Sequence, residues 1–110
     1  MDITGTFVGT MSHMSPEMLS NKRYTYKTDI FSLGVVLWEL WYGRHVYSEP
    51  EYESFGINVL LAAIKNGQKP RCTFQYAMPK TLQKVLEQCW DLDPDKRPEA
   101  SHVAVVLNTL

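Results

Sequence analysis

The chain has 110 residues, room for one small domain or part of a larger one. Its 45% hydrophobic content, with three Trp and six Tyr, is enough for a core, while a formal net charge of −1 leaves no basic surplus to neutralise a phosphate backbone. Nucleic acid is therefore set aside as a partner. The apolar run Ile30–Trp38 is far shorter than the roughly 20 residues of a bilayer span, so no membrane span is expected. Met1–Phe7 lacks the basic-then-apolar order of a signal peptide, and the expected location is the cytoplasm.

Met1–Thr10 is polar, threonine-rich and glycine-containing, and reads as loop. Ser15-Pro16-Glu17 then has the order of a helix start: a serine cap, proline at the first helical position and an acid in the first turn. The helix is short, because "SNK" interrupts it. Thr28-Asp29 is a second start signal, with Thr28 capping and Asp29 favoured by the positive end of the helix dipole. From Ile30 to Tyr42 nearly every face is apolar, broken by Ser32, Gly34 and Glu39, and Gly43 supplies the stop. A helix apolar all round belongs in the middle of a fold.

"RHVYSEPEYESFG" is polar connector, and "INVLLAAIKNG" is an amphipathic helix closing at Gly67. "QKPRCTFQYAMP" is loop. Pro79 opens a helix through Trp90 in which Leu82, Val85, Leu86 and Cys89 share one face. After the turn-rich "DLDPDKRP", the segment "EASHVAVVLNTL" places Val103, Val106, Leu107 and Leu110 on another helical face. No segment alternates with period 2 for long, so the predicted fold is all-α. There is no internal repeat and no low-complexity stretch.

Cys72 and Cys89 lie in different predicted elements and fit no CxxC or Cys/His spacing, so a reduced, packed thiol is the reading for each rather than a disulfide or a metal ligand. His13, His45 and His102 are scattered and read as structural. No metal-binding set is expected.

Three motifs add to this pattern. "GTMSHMSPE" carries Gly9, Thr10, Met14, Pro16 and Glu17; "DIFSLGVVLWEL" opens with Asp29 and carries Ser32-Leu33-Gly34; "CWDLDPDKRP" runs from Cys89 to Pro98. Taken in this order, they resemble the C-terminal lobe of the eukaryotic protein kinase family over essentially the whole chain. The first is similar to the end of the activation segment, with Ser15 in place of the family's alanine and His13 in place of its tyrosine. The second resembles the central buried helix, and the third the turn of the tyrosine-kinase-like and tyrosine kinase branches.

The resemblance implies a partial kinase domain over residues 1–110. Residues 1–19 would end the activation segment and form the Pro-Glu helix, 28–43 the central helix, and 57–110 the C-terminal helices. Phosphoryl transfer needs a glycine-rich cover, a lysine on the phosphates, a catalytic Asp and Asn, and a magnesium-binding Asp. In the family these precede the Gly-Thr segment, whereas here only Met1–Val8 do, and no GxGxxG, HRD or DFG occurs. No catalytic or cofactor-binding residue is therefore assigned. ATP and Mg belong to the complete domain, and the implied partners are the N-terminal lobe, the catalytic loop, and protein substrates or regulators.

What the resemblance assigns to this chain is positioning. Thr10 would hydrogen-bond the catalytic aspartate and help orient the acceptor hydroxyl, which leans towards serine/threonine specificity. His13 leaves open who supplies the tyrosine's packing and hydrogen bond. Asp29 would accept amides of the catalytic loop, although a simple first-turn acid accounts for it equally. Glu17 and Arg97, far apart in sequence, would form a buried ion pair. Thr4 and Thr6 sit where activation-loop phosphorylation often occurs. Two readings of the parent follow: an active serine/threonine or dual-specificity kinase, or a pseudokinase or catalytically empty helical interaction module.

Overall fold

A computed structural model describes residues 13–20, 24–70 and 78–110. Thr4, Thr6, Thr10 and Cys72 lie outside these residues. The described residues form helices and turns without strands: α1 (Pro16–Leu19), α2 (Tyr26–Tyr42), a 3-10 turn (Pro50–Tyr52), α3 (Ile57–Lys65), α4 (Lys80–Cys89), a second 3-10 turn (Pro94–Lys96) and α5 (Ala100–Asn108). The all-α expectation holds among them.

Helix α1 forms where the sequence places it. Ser15 is extended, its hydroxyl accepts the Met18 N–H at 3.3 Å, and Pro16 loses nothing at a position whose N–H has no helical partner. Helix α2 starts earlier than Thr28-Asp29. Its cap is Thr25, and Thr28, in the first turn, accepts the Thr25 N–H on its hydroxyl at 3.0 Å. Thr28 thus takes the reaching-back role of a capping box, in which the third helical side chain satisfies the cap's amide. The helix ends at Gly43, whose φ of 66° is the left-handed conformation that closes helices at small cost only in glycine.

Helix α2 is the centre of the fold, packing against α4 and the second 3-10 turn, while α1 meets α3 and α4 meets α5. Ile30, Phe31, Val35 and Trp38 from α2 join Leu82, Val85, Leu86 and Cys89 from α4, with Trp90, Ile64 and Val103, in one buried cluster. The predicted face of α4 is thereby the buried one. Gly34 allows the closest approach: a Cβ there would lie 2.7 Å from Trp90 Nε1 and 2.9 Å from Cys89 Cβ. Burial of α2 is nonetheless one-sided, since Val36, Leu40 and Trp41 stay exposed. On α5, Val103 is buried and Val106 and Leu107 partly so, but Leu110 lies beyond the helix and is exposed.

Candidate functional site

The segment ending at Glu17 is tied to the central helix at two places. At the first, the Arg97 guanidinium meets the Glu17 carboxylate in a two-pronged ion pair, Nη1 to Oε2 at 2.6 Å and Nη2 to Oε1 at 2.8 Å, across 80 positions of sequence. Helix α1 sets Glu17 in its first turn, and the 3-10 turn Pro94–Lys96 delivers Arg97. Every remaining contact fixes this geometry. Arg97 donates to the carbonyls of Asp91 and Lys27, each at 2.9 Å, Lys27 Nζ donates to the Arg97 carbonyl, and the guanidinium lies 5.1 Å from the Phe31 ring centre. Thr28 Oγ1 donates to Glu17 Oε2 at 3.1 Å, so one hydroxyl serves both the α2 cap and the ion pair.

Both side chains are buried, Arg97 completely and Glu17 to within 8%. Burial alone would push the Glu17 carboxyl up, but hydrogen bonds from Arg97, a backbone amide and Thr28, with the Arg97 charge, hold it below the usual carboxylate range. A pair this buried repays its desolvation only through such good geometry, and removal of either partner strands the other.

The second tie runs through His13. Its Nε2 lies 2.7 Å from Glu39 Oε1, and its carbonyl accepts the Ser32 hydroxyl at 2.7 Å. The other Glu39 oxygen accepts the Val46 N–H at 2.9 Å and faces His45 Nδ1 at 3.4 Å. Glu39 therefore joins the segment before α1, the central helix and the connector after it. Burial raises its pKa, but the Val46 amide, His13 and His45 together outweigh that and hold it low. Sequence reasoning passed over Glu39 as a mere break in an apolar run. The available signal was the break itself, because a lone acid amid apolar helix faces is buried at a cost unless something bonds it.

Asp29 is exposed near the start of α2 and accepts a hydrogen bond from the Tyr24 hydroxyl. That bond, above all, raises the Tyr24 pKa. Asp29 is remote in role from the ion pair: Glu17 is served by Thr28 and Arg97. Cys89 is a free, buried thiol, pushed up to about 11 by burial although the Arg97 charge pulls the other way. It packs and does not react. Among the described residues no set of His, Cys, Asp or Glu could hold a metal ion, and no helix is long and apolar enough to cross a membrane. The described arrangement can anchor and position a segment; its groups converge on no reacting centre.

The description "Protein kinase domain" matches residues 2–106. A Dictyostelium discoideum protein named a probable serine/threonine-protein kinase is 30% identical over 112 residues, covering 96% of this chain and 6% of that protein. An Arabidopsis thaliana protein kinase and PP2C-like domain-containing protein is 32% identical over 94% of this chain and 17% of its own length. Human mitogen-activated protein kinase kinase kinase 7 is 29% identical over 93% of this chain and 16% of its own length. The chain thus spans less than a quarter of the length of each of these relatives. It belongs to the protein kinase family, its all-helical described residues match the helical part of such a domain, and its relatives include a protein named a probable serine/threonine-protein kinase.

Proposed function

We propose that this chain is the substrate-facing part of the C-terminal lobe of a cytoplasmic serine/threonine kinase, the whole of which transfers the γ-phosphate of ATP to protein Ser or Thr hydroxyls. The observation that carries the reading is the buried Glu17–Arg97 pair, which pins the Pro-Glu helix to the "DPDKRP" turn at the places where family members pair a glutamate with an arginine. The His13–Glu39 bond supports the same reading, because the histidine supplies a hydrogen bond where the family's tyrosine would. In this reading Thr10 orients the acceptor hydroxyl, Asp29 receives amides of the catalytic loop, and Thr4 and Thr6 are phosphorylation sites. ATP and Mg are held by parts of the domain outside this chain, whose sequence carries no GxGxxG, HRD or DFG. By itself the chain is not catalytic.

The test is transfer of label from γ-labelled ATP to a protein substrate by the complete domain carrying these residues, followed by phosphoamino-acid analysis. Phosphoserine and phosphothreonine that fall sharply in Thr10→Ala are the expected result. Phosphotyrosine alone would overturn the specificity, and no transfer by a domain with intact HRD and DFG motifs would favour a pseudokinase or interaction module.

A further inference from the structure

One carboxylate stands where three segments meet, with an imidazole against each of its oxygens. Glu39 Oε1 lies 2.7 Å from Nε2 of His13, in the segment entering α1, and Glu39 Oε2 lies 3.4 Å from Nδ1 of His45, in the connector after α2. The connector also grips Oε2 through the Val46 N–H at 2.9 Å, and the His13 carbonyl accepts the Ser32 hydroxyl of α2 at 2.7 Å. The segment entering α1, the central helix and the connector are thus held together around one acid.

The groups about this acid respond differently to pH. Imidazoles as a class change charge between about pH 5 and 8, a range in which carboxylates and guanidinium groups keep theirs. Among the described residues, His13 and His45 are the basic groups within ion-pair distance of Glu39. Arg44 shares a cavity of about 310 Å³ with Glu39, His45, Val36, Leu40 and Gly43, and directs Nε and Nη2 to the Ser48 hydroxyl and carbonyl at 3.1 and 3.4 Å. Its charge is a constant background. Burial raises the Glu39 pKa, but the Val46 amide and the two histidines outweigh it, so the carboxylate stays ionised as pH falls to 5. Solvent reaches the two histidines unequally. The side chains of His13 and Glu39 are 26% and 19% exposed, enough to exchange protons with water yet less screened than a surface pair, whereas His45 is 92% exposed.

We propose that His13 and Glu39, with His45 in a minor part, form a pH-sensitive latch that ties the segment entering α1 to the central helix more strongly at pH 6 than at pH 8. A neutral His13 ring donates from Nε2 to the ionised carboxylate. A proton taken from water at Nδ1 leaves that bond in place and sets a positive charge beside a negative one, which turns a hydrogen bond into a charge-assisted ion pair. The contact therefore strengthens as the ring charges and weakens only when Glu39 itself takes a proton, below the range of the latch. His45 acts with the same sign on the other oxygen, across a longer gap and through water. The Val46 amide shares that oxygen, so the connector senses the change. The latch does not depend on the kinase reading, since it rests on the contacts of Glu39 alone.

The test is a double-mutant cycle of His13→Gln and Glu39→Gln in the 110-residue chain, by denaturant unfolding in dilute solution at pH 8 and pH 6. Glutamine keeps an N–H donor at position 13 but cannot charge, and the cycle cancels whatever each residue loses by burial alone. The coupling is expected to multiply the folding equilibrium about fivefold more at pH 6 than at pH 8, the upper end for an ion pair that is not fully buried. Coupling that is equal at the two pH values, or smaller at pH 6, would overturn the latch. A second measurement needs no change at Glu39. In His45→Gln, which alters only an exposed ring, the Val46 amide signal in nuclear magnetic resonance should shift between pH 8 and 5 with the same midpoint as the His13 ring protons. A Val46 signal without that inflection, or one that keeps it when His13→Gln is added, would overturn the proposal even if Glu39→Gln fails to fold. The exposed His102 on α5 is the control, and His102→Gln should leave both the coupling and the inflection unchanged.

Discussion

Arg97 shows how much one side chain can be asked to do when it is buried with all its neighbours chosen for it. It spends one nitrogen on each Glu17 oxygen and further N–H groups on the carbonyls of Asp91 and Lys27, a pattern that a lysine's compact ammonium cannot copy. Arg97→Ala should therefore destabilise the fold by about 3–5 kcal/mol, and Glu17→Ala nearly as much, because each leaves an uncompensated buried charge. In denaturant unfolding the double variant should cost far less than the sum of the two; additive losses would mean that the residues act independently. The pair also sets an acid limit. Glu17 titrates below its unfolded value of 4.5, so its contribution is fully present above that pH and is lost as pH falls through the lowered folded value. Melting temperatures measured downward from pH 5 should drop, and Glu17→Gln should flatten that limb; an equally steep limb in the variant would assign acid sensitivity elsewhere, with Glu39 the first alternative. Asp29 is the contrasting case. Exposed, and accepting a hydrogen bond from the exposed Tyr24 hydroxyl, it should tolerate Asp29→Asn in this chain with a loss of about 0.3–1 kcal/mol, the worth of a first-turn charge on the helix dipole. In the complete kinase the same change should cut phosphotransfer, and unchanged transfer there would remove Asp29 from its proposed role under the catalytic loop.

At the scale of elements, the sequence was most legible where local rules act alone. Ser15-Pro16-Glu17 announces α1, Gly43 ends α2, and the spacing of Leu82, Val85, Leu86 and Cys89 names the buried face of α4. The start of α2 was misread at Thr28 because two threonines three apart can each cap. Only the fold decides: Thr28 is drawn inside the helix by Glu17, which is distant in sequence and accepts its hydroxyl. Glu39 was illegible for the same reason, since its partners His13 and Val46 come from other segments. Gly34 could be read as part of a motif, but not why it must be glycine. The space for its missing Cβ is taken by Trp90 and Cys89, the end of α4. Gly34→Ala gains about 1 kcal/mol of helix propensity. It should still be destabilising by about 1–3 kcal/mol net, as overpacking at a helix crossing forces the elements apart. Chemical denaturation would measure this, and a stabilised variant would show that α4 can slide away at no cost.

Across the whole molecule the apolar surface is unevenly finished. Part of the central helix is closed by α4 and the second 3-10 turn, whereas Val36, Leu40 and Trp41 remain exposed, Leu40 by 73%. A groove of about 170 Å³ lined by Leu37, Leu40, Trp41, Leu82, Leu107 and Leu110 continues that surface between α2, α4 and α5. Contiguous apolar surface of this kind is unusual on an isolated monomer and marks a place where something else packs. In the proposed reading, that something is the rest of the lobe. The 110-residue chain alone should therefore self-associate as its concentration rises, and it should melt broadly, with sedimentation and calorimetry as the measurements. Leu40→Lys is the decisive variant, because Leu40 contributes little to the buried core and its replacement should shift the chain towards monomer without lowering its melting temperature. A wild-type chain that stays monomeric up to millimolar concentration and unfolds in one sharp transition would show that the fold closes around Trp38 unaided, and the exposed face would then need no partner.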